Sequence, residues 1–416
     1  MSSSAVRLPF LPRIEENRIF HSKERIYYSF HQLTRSIPLI AKRNFAAPKQ
    51  NTFPKCAMFF MIPAFFLLLL VQLSGNKAVF PKPNGNHVAV ILGKESPVSR
   101  EKHLKQFSPT RESRQAHILS VDVEDYFQVE AFAPQVSRES WDRRPCRVVE
   151  NTHRALDLFD QHQAKATFFF VGWVAARFPR LVREVRARGH ELACHSYWHR
   201  TVYSLSPQEF RDDTRRAKHV IEDAAGVAVR GYRAPSWSIT QECLWALDIL
   251  AEEGFTYDSS IYPIHHDLYG VPGAQRFPYV HECGNGLRLK EFPPATLRLL
   301  GTNFPVAGGG YLRIFPSAYT ELAFRRYENH YHERLVVYLH PWELDPGQPR
   351  IQGPLKSRLR HYTNLKRMHS RLSAVLECHR FVRFCDVLAE EELDSAIPAV
   401  DKKESAAVGT GSGGKL

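Results

Sequence analysis

The fold class expected of this sequence is α/β: a (β/α) barrel, distorted or incomplete, with seven or eight strands. Three observations predict it. Short apolar runs alternate with amphipathic helical stretches from Ala116 onward, the pattern of a mostly parallel sheet with crossover helices. About six to eight such βα units fit into roughly 280 residues, the size of one barrel. Residue types that carry chemistry then recur where the apolar runs end, and barrel enzymes build their sites at those strand ends.

The elements follow in chain order. HILSVDV from His117 reads as a strand and Val148 to Gln161 as a helix. ATFFFVG from Ala166 is a buried strand, followed by a helix from Trp173 to Arg188 that stops at Gly189. HELACHS, GYRAPS and FTYDSSIY are strands and strand ends, separated by helices from Pro207 to Ala225 and from Gln241 to Glu253. A β-rich stretch containing glycines covers Leu287 to Phe315, and a helix follows from Ser317 to Tyr331. LVVYLH from Leu335 is the last clear strand, and a basic helix spans Leu355 to Cys378.

The regions outside this pattern have other compositions. The chain has 416 residues, 44% apolar and 24% charged, which excludes collagen, coiled coil and wholesale disorder. Its net charge of +13 is concentrated in residues 1–115, where 18 Lys and Arg face 6 Glu; the remainder holds 38 basic and 37 acidic side chains. A nucleic-acid groove in the main domain is therefore not expected. Residues 1–55 read as a basic, poorly ordered leader and 74–115 as a polar linker. Between them, CAMFFMIPAFFLLLLVQL at 56–73 lies at the lower length limit for a membrane span. It reads as a signal anchor offering membrane contact with its basic flank inside; a signal h-region or an artefact of an upstream start are the alternatives. Residues 396–416 read as a disordered tail, which leaves 116–395 as the folded domain. Cys56, Cys146, Cys194, Cys243, Cys283, Cys378 and Cys385 are odd in number and form no C-x-x-C pair, so reduced thiols and a cytoplasmic setting are expected. Any metal would be held by His and carboxylate.

Three groups of residues point to chemistry. His195 and His199 in CHSYWH would point the same way from one helical turn, and two neutral imidazoles suit zinc or another borderline divalent metal. An isolated H-x-x-x-H is more often a surface or capping pair. Asp122, Glu124 and Asp125 in VDVEDYF close the first strand and can supply a metal ligand and a general base; a helix N-cap is the plainer alternative. Arg233 in GYRAPS, Asp258 in YDSS and His340 in VVYLHPWELD also fall at strand ends. Several such positions on one barrel face favour a site over scattered structural roles. Trp198, Trp237, Tyr262 and Trp342 are aromatics near the rim that could stack on a ligand, although for each a core position is the simpler expectation.

KATFFFVG, GHELACHSYWH, YRAPS and YLHP, in this order, resemble the polysaccharide deacetylase family with the NodB homology domain, carbohydrate esterase family four. SVDVEDYFQVEAF and HPWELDP resemble more narrowly the exosortase-associated deacetylases found with exopolysaccharide loci. The resemblance covers Ile118 to about Val387. It implies a metal-dependent N-deacetylase acting on amino sugars of a polysaccharide or its precursor. By matching position it makes Asp122 the catalytic base, and His195 and His199 the metal-binding histidines. Arg233 becomes the arginine that orients the base, His340 the catalytic histidine, and Asp258 the acid paired with it. Val123 stands where the family has a second Asp, which leaves Glu124 and Asp125 as competing carboxylate ligands. Tyr338 stands where a leucine is usual, so the acetyl pocket is expected to differ in shape. The same fold also serves deacylases of small nitrogen compounds, for which the GGGYLRIF insertion would narrow the site. A catalytically silent glycan-binding module is a further alternative, against which the intact Asp122, His195, His199 and His340 argue.

Overall fold

A computed structural model describes residues 115–396 apart from 267, 285 and 307. The leader, the apolar segment 56–73, nearly all of the linker and the tail lie outside the described residues. Among the described residues no helix is long and apolar enough to cross a membrane. Their six cysteines form no disulfide.

The first strand, β1 (His117–Val123), is buried along its whole length, as expected of a strand covered on both faces. It runs parallel to β2 (Thr167–Phe170) on one side and to β10 (Val336–Leu339) on the other. Beyond β2 follow β3 (Glu191–Cys194), β4 (Gly231–Tyr232), β5 (Tyr257–Asp258) and β7 (Arg288–Glu291), all parallel. The edge strand β6 (Tyr279–Glu282) pairs antiparallel with β7. The sheet order is therefore β10-β1-β2-β3-β4-β5-β7-β6, with β11 (Phe381–Val382) joining the lower end of β1. Seven parallel strands make up the barrel wall among the described residues. Between β7 and β10 no strand pairing closes the wall among the described residues; a long backbone bond, Ala295 N to Val336 O at 3.5 Å, and an isolated bridge between Gly308 and Tyr338 lie along that edge of β10. The barrel is incomplete, as expected.

Its core joins Ile118, Phe169, Ala193, Tyr257, Phe292 and Val336 to Phe384 and Val387. The last two belong to the closing helix, and Phe384 stacks on Tyr257 with ring centroids 5.1 Å apart.

The crossover helices form where the apolar residues recur at helical spacing. Helix α1 (Val148–Gln161) buries Val148, Thr152, Ala155 and Phe159 on one face. The single helix expected from Trp173 is two, α2 (Gly172–Arg177) and α3 (Pro179–Ala187), because Pro179 removes an N–H and forces Phe178 out of the helical region. Helix α4 (Pro207–Ala225) has the expected bounds: Ser206 and Glu209 form a capping box, and Gly226 ends it at φ 65°. Only a short turn and α5 (Trp245–Glu252) occupy the stretch from Gln241.

The expected β-rich stretch contains β7 and a hairpin, β8 (Thr296–Leu299) with β9 (Thr302–Pro305), but its GGGYLRIF end is the helix α6 (Gly309–Ile314). Helix α7 (Ser317–Arg326) ends in a widened turn over Tyr327–Tyr331. The long basic helix is also two, α8 (Leu355–Tyr362) and α9 (Leu365–Cys378), separated where Asn364 adopts φ 57°. Helix α10 (Phe384–Ala396) closes the described chain.

Candidate active site

Because all seven wall strands run the same way, the residues that follow their ends converge. Glu124 follows β1, His195 follows β3, Arg233 follows β4 and His340 follows β10, while Asp122 is the last but one residue of β1. All but His340 are almost completely buried.

Arg233 holds Asp122. Its Nη1 donates to Asp122 Oδ1 at 2.7 Å and to Ser120 Oγ at 2.9 Å, its Nη2 donates to Ser259 Oγ, and its guanidinium lies 4.2 Å from the Phe169 ring centre. The second carboxylate oxygen, Asp122 Oδ2, is buried without a hydrogen-bond partner among the described residues and stands 3.8 Å from His340 Nε2.

Glu124, His195 and His199 each direct one donor atom to a common point, all within 4.8 Å of one another. Trp342 Nε1 donates to Glu124 Oε1 at 3.0 Å, which fixes that carboxylate. Glu124 Oε2 lies 2.7 Å from His199 Nε2, yet it too lacks hydrogen-bond geometry with any described group. His195 Nδ1 lies 2.7 Å from the Arg233 carbonyl oxygen, so Nδ1–H donates there and Nε2 keeps its lone pair for the site. Burial pushes His195 down to about 4, which makes it neutral at pH 7, the form that binds metal. Burial alone would raise Glu124, but His199 and His340 hold it well below the usual carboxylate range. Two buried imidazoles and a carboxylate with unpartnered oxygens around them fit a divalent cation.

The two histidines do not share a helical turn. They lie in a loop where Ser196 and His199 have φ of 60° and 49°, conformations that L-residues adopt at a cost of roughly 1 kcal/mol each. Asp213 of α4 stabilises the loop by accepting from the N–H groups of Tyr197 and Trp198, and Arg138 donates to the carbonyls of Trp198 and His199.

Two of the expected site residues do other work. Asp125 turns away from His195 and His199: Oδ1 accepts from its neighbour Tyr126 N, and Oδ2 accepts from Arg147 N and Val148 N at the start of α1. It is a helix cap, and Glu124 is the carboxylate that joins the histidines. Asp258 does not pair with His340. Its Oδ1 accepts from Ser260 Oγ at 2.6 Å, and it faces Glu291 across the β5–β7 register. The acid beside His340 is Glu343, whose Oε2 accepts from the His340 backbone N at 3.0 Å and lies 3.3 Å from Nδ1. Glu343 Oε1 in turn accepts from Arg313 Nε at 2.9 Å. Burial alone would lower His340, but Glu124, Glu343 and Asp122 raise it to about 9, so it carries a proton at pH 7.

Of the four aromatics considered as sugar platforms, Trp237, Tyr262 and Trp342 are buried and only Trp198 is half-exposed. Tyr338 packs against Trp237 with centroids 4.2 Å apart and occupies the space above Gly308.

Residues 139–257 match the family model for polysaccharide deacetylase. That stretch, under a third of the chain, is similar to polysaccharide deacetylases. Residues 259–389 match a second model, described as a domain of unknown function (DUF3473). The chain is 28% identical over 123 residues to peptidoglycan-N-acetylglucosamine deacetylase of Bacillus cereus, covering 27% of this chain and 45% of the relative. It is 36% identical over 101 residues to chitooligosaccharide deacetylase of Bradyrhizobium sp., covering 24% and 43%. To peptidoglycan deacetylase of Helicobacter pylori it is 31% identical over 118 residues, covering 28% and 38%. The chain thus spans less than half the length of these curated relatives. His195, His199 and Arg233 fall within the stretch matched to the deacetylase model, and His340, Glu343 and Arg313 within the stretch of unknown function. Asp122 and Glu124 precede both.

Proposed function

We propose that this chain is a metal-dependent N-deacetylase that releases acetate from amino sugars of a polysaccharide, an exopolysaccharide or its precursor by the sequence resemblance. The named activities of the relatives support the reaction class. The observation that carries the reading is the unpartnered Oδ2 of Asp122 standing 3.8 Å from His340 Nε2, beside the Glu124, His195 and His199 trio.

Glu124, His195 and His199 would hold the metal, zinc by its preference for imidazole and carboxylate; when bound it supplies Lewis acidity toward the acetamide carbonyl and a more acidic water. Asp122 Oδ2 accepts the proton of the attacking water, while Arg233 on Oδ1 keeps the carboxylate oriented. His340 Nε2–H donates to the amine nitrogen as the carbon–nitrogen bond breaks. That proton is needed because an unprotonated amide nitrogen is a poor leaving group. Acetate and a free amino sugar are the products.

The test is acetate release from N-acetylglucosamine oligomers and acetylated peptidoglycan fragments by chelator-treated protein restored with zinc, cobalt, manganese or magnesium. Chelation should abolish turnover and one of the metals should restore it. Stoichiometric metal without acetate from any of these substrates would contradict the proposal.

A further inference from the structure

We infer that Glu343, clamped by Arg313, is the positioning residue for His340, and that the segment of unknown function thereby supplies both the proton donor of the site and the carboxylate that orients it. This rests on the deacetylase reading above. It departs from the family pattern, in which the residue corresponding to Asp258 has that role.

The chain of contacts runs inward from α8. Arg313 is 1% exposed. It donates to the carbonyls of Arg360, His361 and Thr363, which lie at the C-terminal end of α8 where helix carbonyls lack internal partners. Its Nε meets Glu343 Oε1 in a buried pair. A charge-assisted pair of this kind sets the carboxylate in one place. The short helical turn Pro341–Leu344 brings Glu343 back over His340, so that Oε2 meets both the backbone N and Nδ1 of the histidine.

With Nδ1–H directed at Glu343, Nε2 is left facing Asp122 and Glu124, 3.8 and 3.6 Å away. The His340 ring is also stacked on Trp342, with centroids 5.1 Å apart and planes 21° apart. Two constraints therefore fix the direction of the ring.

Gly309 shows how tightly the clamp is fitted. A Cβ there would overlap the Glu343 carboxylate, so the glycine-rich start of α6 is a packing requirement of this clamp. Asp258 has no comparable route to His340. Its oxygens are engaged with Ser260 or turned toward Glu291, and through Ser260 and Ser259 it lies behind Arg233 instead.

The experiment combines turnover with a readout that does not need it. In the metal-loaded full chain, kcat, KM and bound metal are measured for Glu343→Gln, His340→Ala and Asp258→Asn, and for each of the first and third combined with His340→Ala. Imidazole ¹⁵N and Nδ1–H proton shifts of His340 report the hydrogen bond at Nδ1. Glu343→Gln should lower kcat about 10- to 100-fold with KM and metal content unchanged. It should add nothing to His340→Ala, and should remove the signature of a charge-assisted hydrogen bond at Nδ1–H. Asp258→Asn should leave that signature unchanged, and its effect should multiply with that of His340→Ala. If Glu343→Gln does not fold, Gly309→Ala displaces the carboxylate without removing its charge and should give the same pattern. A Glu343→Gln loss that multiplies onto His340→Ala, or an Asp258→Asn change in the Nδ1–H hydrogen bond, would overturn the assignment. An inactive wild-type chain would refute the deacetylase reading, while the ¹⁵N shifts would still decide which acid holds His340.

Discussion

Glu124 and Asp125 are neighbours with opposite duties, and the backbone between them explains the division. After β1 the chain bends, with Glu124 N donating to Asp122 O, so the two side chains diverge. Glu124 falls among the histidines and Asp125 caps α1. Glu124→Gln should therefore lose bound zinc, because a neutral amide is a far weaker ligand. Asp125→Ala should retain zinc but lose about 2 kcal/mol of stability, since three buried N–H groups lose their acceptor. Metal analysis and urea unfolding of the two variants check this. Strand alternation puts Asp122 and Glu124 on one side and Asp125 on the other, which is the division observed, although the bend after β1 that could have altered it leaves no local sequence mark. Glu343 left a mark that was legible in principle. In HPWEL a residue is followed three places later by Glu across a Pro-initiated turn, the spacing of a capping box, with His in the place usually held by Ser or Thr.

At the scale of elements, the strands were legible and the helix interruptions only partly. Parallel strands buried on both faces read as apolar runs, and their ends placed Asp122, His195, Arg233 and His340 correctly. Pro179 announces the break between α2 and α3, but the break at Asn364 depends on Arg313 taking up the carbonyls of Arg360, His361 and Thr363 just before it. The pairing of β5 with β7 sets Asp258 opposite Glu291, which no local pattern in either strand reveals. Burial pushes Asp258 up to about 6, and burial together with Asp258 pushes Glu291 well above the carboxylate range. An acid raised in this way holds its proton longer in the folded chain than in the unfolded one. Its favourable contribution is complete below about pH 4 and is lost as pH rises through about 6. The melting temperature should accordingly be lower at about pH 8 than at about pH 5. Glu291→Gln, which presents a permanent N–H donor to Asp258, should flatten that difference. An unchanged slope in the variant would show that other groups set it.

For the whole molecule, the site is complete only when distant stretches of chain are folded together. β10 lies against β1 over Ile118 to Val121, and it carries Leu339 to the point from which His340 enters the site. The two matched segments meet inside one sheet, since β5 ends the first and β7 continues it in the second. A chain ending at residue 258 would lose β10, His340 and the Arg313–Glu343 clamp, and would leave one edge of β1 unpaired. It should show no cooperative unfolding transition by circular dichroism, whereas a chain beginning near Ser113 and running through residue 396 should. A cooperative transition in the shorter piece would mean that the segment of unknown function is an appendage to an already complete barrel.

The central claim is that Asp122 moves the proton while its neighbours hold the metal, and the zinc-loaded Asp122→Asn variant tests it most directly by acetate release from N-acetylglucosamine oligomers. The account predicts zinc bound at the wild-type level and a turnover lower by about 10² to 10⁴-fold, because the amide cannot accept the proton of the attacking water. Wild-type turnover in that variant, or loss of its zinc together with its activity, would contradict it.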